Sequence, residues 1–84
     1  MARSSEYRRR RQLLLHLLRQ IRLEGGLRQV DVAKLMRKPQ SFVSNYESGE
    51  RRLDLLELHQ LCEVVGITLV DFAKRFESAI REQQ

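Results

Sequence analysis

Eighty-four residues with a single Cys form one small domain that can close no internal disulfide and must rely on apolar packing or a partner. Fourteen Leu, one Pro, no Trp and a charged fraction of 32% suit a globular helical protein, and exclude both a disordered chain and a sheet built on aromatic residues. The net charge of +5 is uneven: residues 1–38 hold eleven Arg or Lys against three acids, net +8, and residues 39–84 hold five against eight, net −3.

The chain opens on Arg8 to Arg11 followed by Leu13 to Leu15, which resembles the start of a signal peptide. The apolar run breaks at His16 and Arg19 and has no small-residue cleavage site. No stretch is long enough to span a membrane. The expectation is a basic arm over residues 1–11, running into a first helix of a cytoplasmic, nucleoid-associated protein.

Periodicity predicts five helices and no strand, in one domain over residues 1–84. Helix 1 runs from about Ser5 to Glu24, with Leu14, Leu17, Leu18 and Ile21 on one buried stripe, and Gly25-Gly26 stops it. Helix 2 runs from about Arg28 to Met36 with Val32, Ala33 and Met36 inside. Ala33 lets helices 2 and 3 approach, so a large residue there costs about 1–3 kcal/mol by overpacking. Pro39 takes a position where a first-turn proline is tolerated and forces the break before helix 3. Helix 3 runs from about Gln40 to Glu47, with Val43 and Tyr46 turned inward and Ser48-Gly49 ending it.

Asp54 and Glu57 form an acidic capping box that starts helix 4, which Gly66 closes after Val65. Leu55, Leu58, Leu61, Cys62 and Val65 make its buried stripe. Thr68 and Asp71 start helix 5, where Leu69, Phe72, Phe76 and Ile80 recur at helical spacing to about Glu82. Leu13, Leu15, Phe76, Ala79 and Ile80 exceed what so small a core needs. They serve either extra packing of helix 1 on helix 5 or a seam between two copies, with residues 68–84 as the dimer contact.

No nucleophile, paired carboxylate or Gly-rich phosphate loop points to catalysis. His59 and Cys62 stand three apart, but a zinc site needs more ligands than the chain offers, and burial makes Cys62 a poor nucleophile. No metal, cofactor or enzymatic activity is expected.

The segment from Gln29 to Gly49, QVDVAKLMRKPQSFVSNYESG, reads as two short helices joined by a tight turn. With Gly26-Leu27, Gln29, Ala33, Gln40-Ser41, Val43-Ser44, Glu47, Gly49, Arg51, Leu61 and Gly66 in register, the chain from about Leu17 to Phe72 resembles the lambda-repressor and Cro-like helix-turn-helix regulators, the XRE family. The resemblance implies a compact, all-α, five-helix lambda-repressor-like DNA-binding domain with helix-turn-helix at helices 2 and 3. It implies a sequence-specific transcriptional repressor that binds double-stranded DNA as a homodimer, a restriction-modification controller being one variant. An antitoxin-like or accessory module that binds a partner protein is the alternative.

By the same resemblance Gln40 reads bases, and Ser41, Ser44 and Asn45 occupy the other groove-facing positions. Gln29 grips a phosphate and braces Gln40, while Arg28, Lys38, Arg51 and Arg52 lie where phosphates run. Arg22 and Glu47 match a partly buried ion pair that aims helix 3. Three departures stand out: Arg28 replaces a Ser or Thr cap, Arg37 a turn glycine, and Lys38-Pro39 a hydrophobic residue and a capping hydroxyl.

Overall fold

The structure is a computed structural model that describes residues 5–82; the first four residues of the expected basic arm, Arg3 among them, and residues 83–84 lie outside the described residues. Five helices follow one another: α1 (Ser5–Glu24), α2 (Gln29–Met36), α3 (Gln40–Ser48), α4 (Leu55–Val65) and α5 (Leu69–Glu82). No strand occurs among the described residues, and no helix of theirs is long and apolar enough to cross a membrane.

Local chemistry sets the boundaries. The Asp54 carboxylate accepts from the Glu57 backbone N–H at 2.8 Å, and Glu57 Oε1 accepts from the Asp54 N–H at 3.0 Å. This reciprocal pair satisfies two N–H groups that the first turn of α4 leaves over. Thr68 Oγ1 accepts from the Asp71 N–H at 3.0 Å ahead of α5. At α2 the missing hydroxyl is replaced from the other side: Arg28 sits in extended backbone, and the Asp31 carboxylate accepts from its N–H at 2.8 Å and from its guanidinium at 2.9 and 3.0 Å.

The helices pack as α2 on α3, α4 on α2, α1 on both α3 and α5, and α4 on α5. Leu17, Leu18 and Ile21 of α1 meet Val32, Ala33 and Met36 of α2, Val43 and Tyr46 of α3, Leu61 and Cys62 of α4, and Phe72 of α5 in one core. Burial pushes the Cys62 thiol up. A bidentate pair from Arg75 to Glu24, at 2.9 and 3.0 Å, fastens α5 to the end of α1.

One packing expectation needs correction. Leu55, assigned to the buried stripe of α4, is 68% exposed. It is the first residue of the helix, and Leu53 in the preceding loop packs on the core instead. Phe42, to which no inward role was given, is buried beside Tyr46 with ring centroids 5.6 Å apart in an edge-on arrangement.

Candidate nucleic-acid interface

The turn between α2 and α3 is closed by backbone geometry. Arg37 adopts φ 58 and ψ 46, and is the one non-glycine residue with positive φ among the described residues. Its N–H donates to the Lys34 carbonyl at 3.1 Å, and the Lys38 N–H donates to the Ala33 carbonyl at 2.9 Å. These two bonds make a left-handed helix terminus of the kind that normally takes glycine. An L side chain in that conformation costs about 1–2 kcal/mol. Pro39 then stands in extended backbone just outside α3, as its cap rather than within the first turn, and its carbonyl accepts from the Phe42 N–H at 3.0 Å.

The turn aims α3 with one face buried and the other open. Phe42, Val43 and Tyr46 point into the core; Gln40 and Ser41 are exposed, and Ser44 and Asn45 are half-buried. Ser44 Oγ donates to the Ser41 carbonyl at 3.2 Å, so its oxygen is left to accept. Gln40, Ser41 and Asn45 thus present amide and hydroxyl groups on one side of a helix whose other side is sealed.

A buried polar network fixes the far end of α3. Arg22 Nε and Nη2 donate to the two Glu47 oxygens at 2.6 and 3.0 Å, and Arg22 Nη1 donates to the Leu27 carbonyl at 3.0 Å. The two side chains are only 8% and 7% exposed. Hydrogen bonding to Glu47 raises the Arg22 pKa further, against the opposing effect of burial. Gln29 Nε2 donates a third bond to Glu47 at 3.1 Å. The ion pair expected between helices 1 and 3 is therefore present, and the bonded partner of the Gln29 amide is Glu47 rather than Gln40.

Around this unit the basic side chains differ in how free they are. Lys38 Nζ lies over the Phe42 ring at 5.3 Å from the centroid, and the Arg51 guanidinium lies over the same ring at 4.5 Å. Arg51 also makes a bidentate pair with Glu57 at 2.8 and 3.0 Å and donates to the Arg52 carbonyl at 2.8 Å. It therefore binds the loop after α3 to the first turn of α4. The Arg51 guanidinium and the Asp54 backbone N–H hold the Glu57 carboxyl down at about 2. Arg28 is matched by Asp31, while Arg52 donates to the Tyr7 hydroxyl at 3.4 Å.

One positioning residue escaped sequence reasoning. Arg11 Nη2 donates to the Gly49 carbonyl at 2.7 Å, just past the end of α3. Gly49 has φ 90, and a Cβ there would stand 3.0 Å from Leu15 Cδ1. The available signal was spacing, since Arg11 shares a helical face with Leu14, Leu15 and Leu18 and so turns inward instead of joining the solvated basic run.

Two short helices, a left-handed turn and a second helix with polar tips outward define a helix-turn-helix DNA-binding fold. A helix-turn-helix family model matches residues 18–72. An XRE-family like protein from Pseudomonas syringae pv. tomato str. DC3000 is similar at 36% identity and a TM-score of 0.80, covering 87% of this chain and 89% of that one. A mutant of the restriction-modification controller protein C.Esp1396I shares the fold at a TM-score of 0.80 and 23% identity, covering 89% of this chain and 95% of that one. No curated protein matches. The chain belongs to the XRE family of helix-turn-helix proteins, which are DNA-binding transcription regulators.

Proposed function

We propose that this protein is a sequence-specific repressor that binds DNA as a homodimer, with α3 in the major groove. The observation that carries the reading is the asymmetry of α3: Gln40 and Ser41 are exposed and unpaired, while Glu47 is locked beneath Arg22 and Gln29. Gln40 reads an adenine edge through its amide, and Ser41, Ser44 and Asn45 meet neighbouring bases. Lys38 and Arg52 hold phosphates, joined by the second amide hydrogen of Gln29. Arg28 and Arg51 contribute the N–H groups that their carboxylate partners leave unused.

One reading helix covers only a short half-site, which favours two copies reading half-sites about 34 Å apart. Repression requires no more than occupancy of a promoter. Selection of bound sequences from a random duplex pool, followed by sizing of the complex, tests the reading. A two-fold symmetric sequence bound by two chains is expected; a pool that stays random defeats it. A second reading, docking of a partner protein, draws on Leu55 and Leu56 at the start of α4, which are 68% and 83% exposed.

A further inference from the structure

The opening turns of α1 lie ahead of residues 18–72, which the family model matches, and they run alongside the segment that follows α3. Contacts at four-residue spacing establish this. The Tyr7 hydroxyl accepts from Arg52 at 3.4 Å, Arg11 donates to the Gly49 carbonyl at 2.7 Å, and Leu15 Cδ1 stands 3.0 Å from where a Gly49 Cβ would be. Positions 7, 11 and 15 share one helical face, so that face looks towards the tail of α3.

The four consecutive arginines of this stretch divide around that face. Arg9 and Arg10 both pair with Glu6, at 2.9 and 2.8 Å, on the side of the helix turned away from α3. Arg11 is committed to Gly49. Arg8 is exposed and makes no ion pair among the described residues. Its helical neighbours Ser5, Arg11 and Gln12 offer it no carboxylate. Arg8 and Arg11 are like charges one turn apart, which repel, so an anion beside Arg8 relieves a local cost. Between Gly49 and Leu53 the single acid is Glu50, which accepts from the Ser48 hydroxyl at 3.4 Å.

The exposed side of α3 that begins at Gln40 and Ser41 runs out at Ser48, one residue before the Gly49 carbonyl that Arg11 holds. A duplex lying along α3 carries a phosphate backbone past this corner. We propose that Arg8 grips a phosphate there, a sequence-independent contact made from outside the matched helix-turn-helix, which rests on the DNA-binding reading above. Arg11 braces the end of the recognition helix, and Arg8, one turn away on the same helix, fixes the backbone beside it. The planar guanidinium suits two phosphate oxygens at once.

The test uses the full chain with two duplexes, the selected sequence and a scrambled one, and follows affinity by fluorescence anisotropy between about 50 and 200 mM salt. Arg8→Gln should flatten the salt slope by about 0.9 on both duplexes and weaken each about 5- to 10-fold at the lower salt. Phosphate ethylation interference on the selected duplex should lose one sensitive position per half-site. Arg8→Lys should keep the parent slope. Arg9→Gln removes an arginine already matched by Glu6, and should leave affinity within about 2-fold of the parent. An unchanged slope or an unchanged ethylation pattern in Arg8→Gln overturns the proposal and leaves the DNA-binding reading standing. Equal flattening by Arg8→Gln and Arg9→Gln also overturns it, since overall charge would then account for the effect. A parent chain that binds neither duplex defeats both.

Discussion

The Arg11 guanidinium donates to the Gly49 carbonyl at 2.7 Å, so a residue of the first helix closes the C-terminal end of the recognition helix. The contact joins positions 38 residues apart and places a cation where the helix dipole is negative. Arg11→Ala should cost about 1–2 kcal/mol, measured as a lowered urea midpoint with an unchanged slope. Arg8→Ala, an exposed neighbour, should shift the midpoint by less than about 0.5 kcal/mol. Equal effects of the two changes would reduce Arg11 to an ordinary surface charge.

The Arg22–Glu47 pair is buried, so breaking it from one side should hurt more than replacing both partners. Glu47→Gln leaves the Arg22 charge without its counter-ion and should cost about 3–5 kcal/mol in chemical unfolding. Arg22→Met combined with Glu47→Leu should cost clearly less than the two single changes summed. Simple additivity would show that the pair carries no coupling.

Arg37 holds a conformation that suits glycine. Arg37→Gly relieves the left-handed strain but frees the unfolded chain, for a net gain of up to about 1 kcal/mol in stability. The same change removes a cation beside α3, so affinity for any duplex should fall at low salt. A destabilised Arg37→Gly protein would mean that the arginine side chain supports the turn.

Gln40→Ala should leave thermal unfolding within about 0.5 kcal/mol of the parent, because the side chain is exposed and unpaired. Binding to the selected sequence should weaken by about 1–3 kcal/mol, with little change on random DNA. Gel-shift titrations on both duplexes separate these outcomes. Parallel weakening would remove Gln40 from base reading.

Helix boundaries were legible because their causes are local. The Asp54–Glu57 cap, the Gly26, Gly49 and Gly66 termini and the Pro39 break all lie within a few residues of what they control. The polar tips of α3 could be read in the same way. Side chains whose partners lie across a turn or loop on another element could not. Arg51 looks like a free surface cation until the fold brings Glu57 and the Phe42 ring to it, and Phe42 looks exposed until Lys38 and Arg51 cover it. Leu55 has the right spacing for burial but stands at a helix end where Leu53 already covers the core.

Two carboxylates make a prediction about acid. The Arg28 side chain and backbone N–H hold Asp31 at about 2 against an ordinary 3.8, and Arg51 with the Asp54 N–H holds Glu57 at about 2 against an ordinary 4.5. Both folded values lie below the unfolded ones. Their stabilisation is therefore complete above pH 4.5, shrinks as pH falls, and is gone below about 2. Urea midpoints taken through that window should fall with pH, and Glu57→Gln should make the fall shallower. An unaltered slope would assign the acid sensitivity to other groups.

The recognition helix is tethered to the scaffold through its tail, at Glu47 and Gly49, while the Gln40 and Ser41 side chains at its leading tip stand exposed. On the proposed reading, exchange at positions 40 and 41 shifts target preference without eroding folding, so descendants of this chain acquire new operators before any second-site repair. In that arrangement the address label and the envelope are inherited separately.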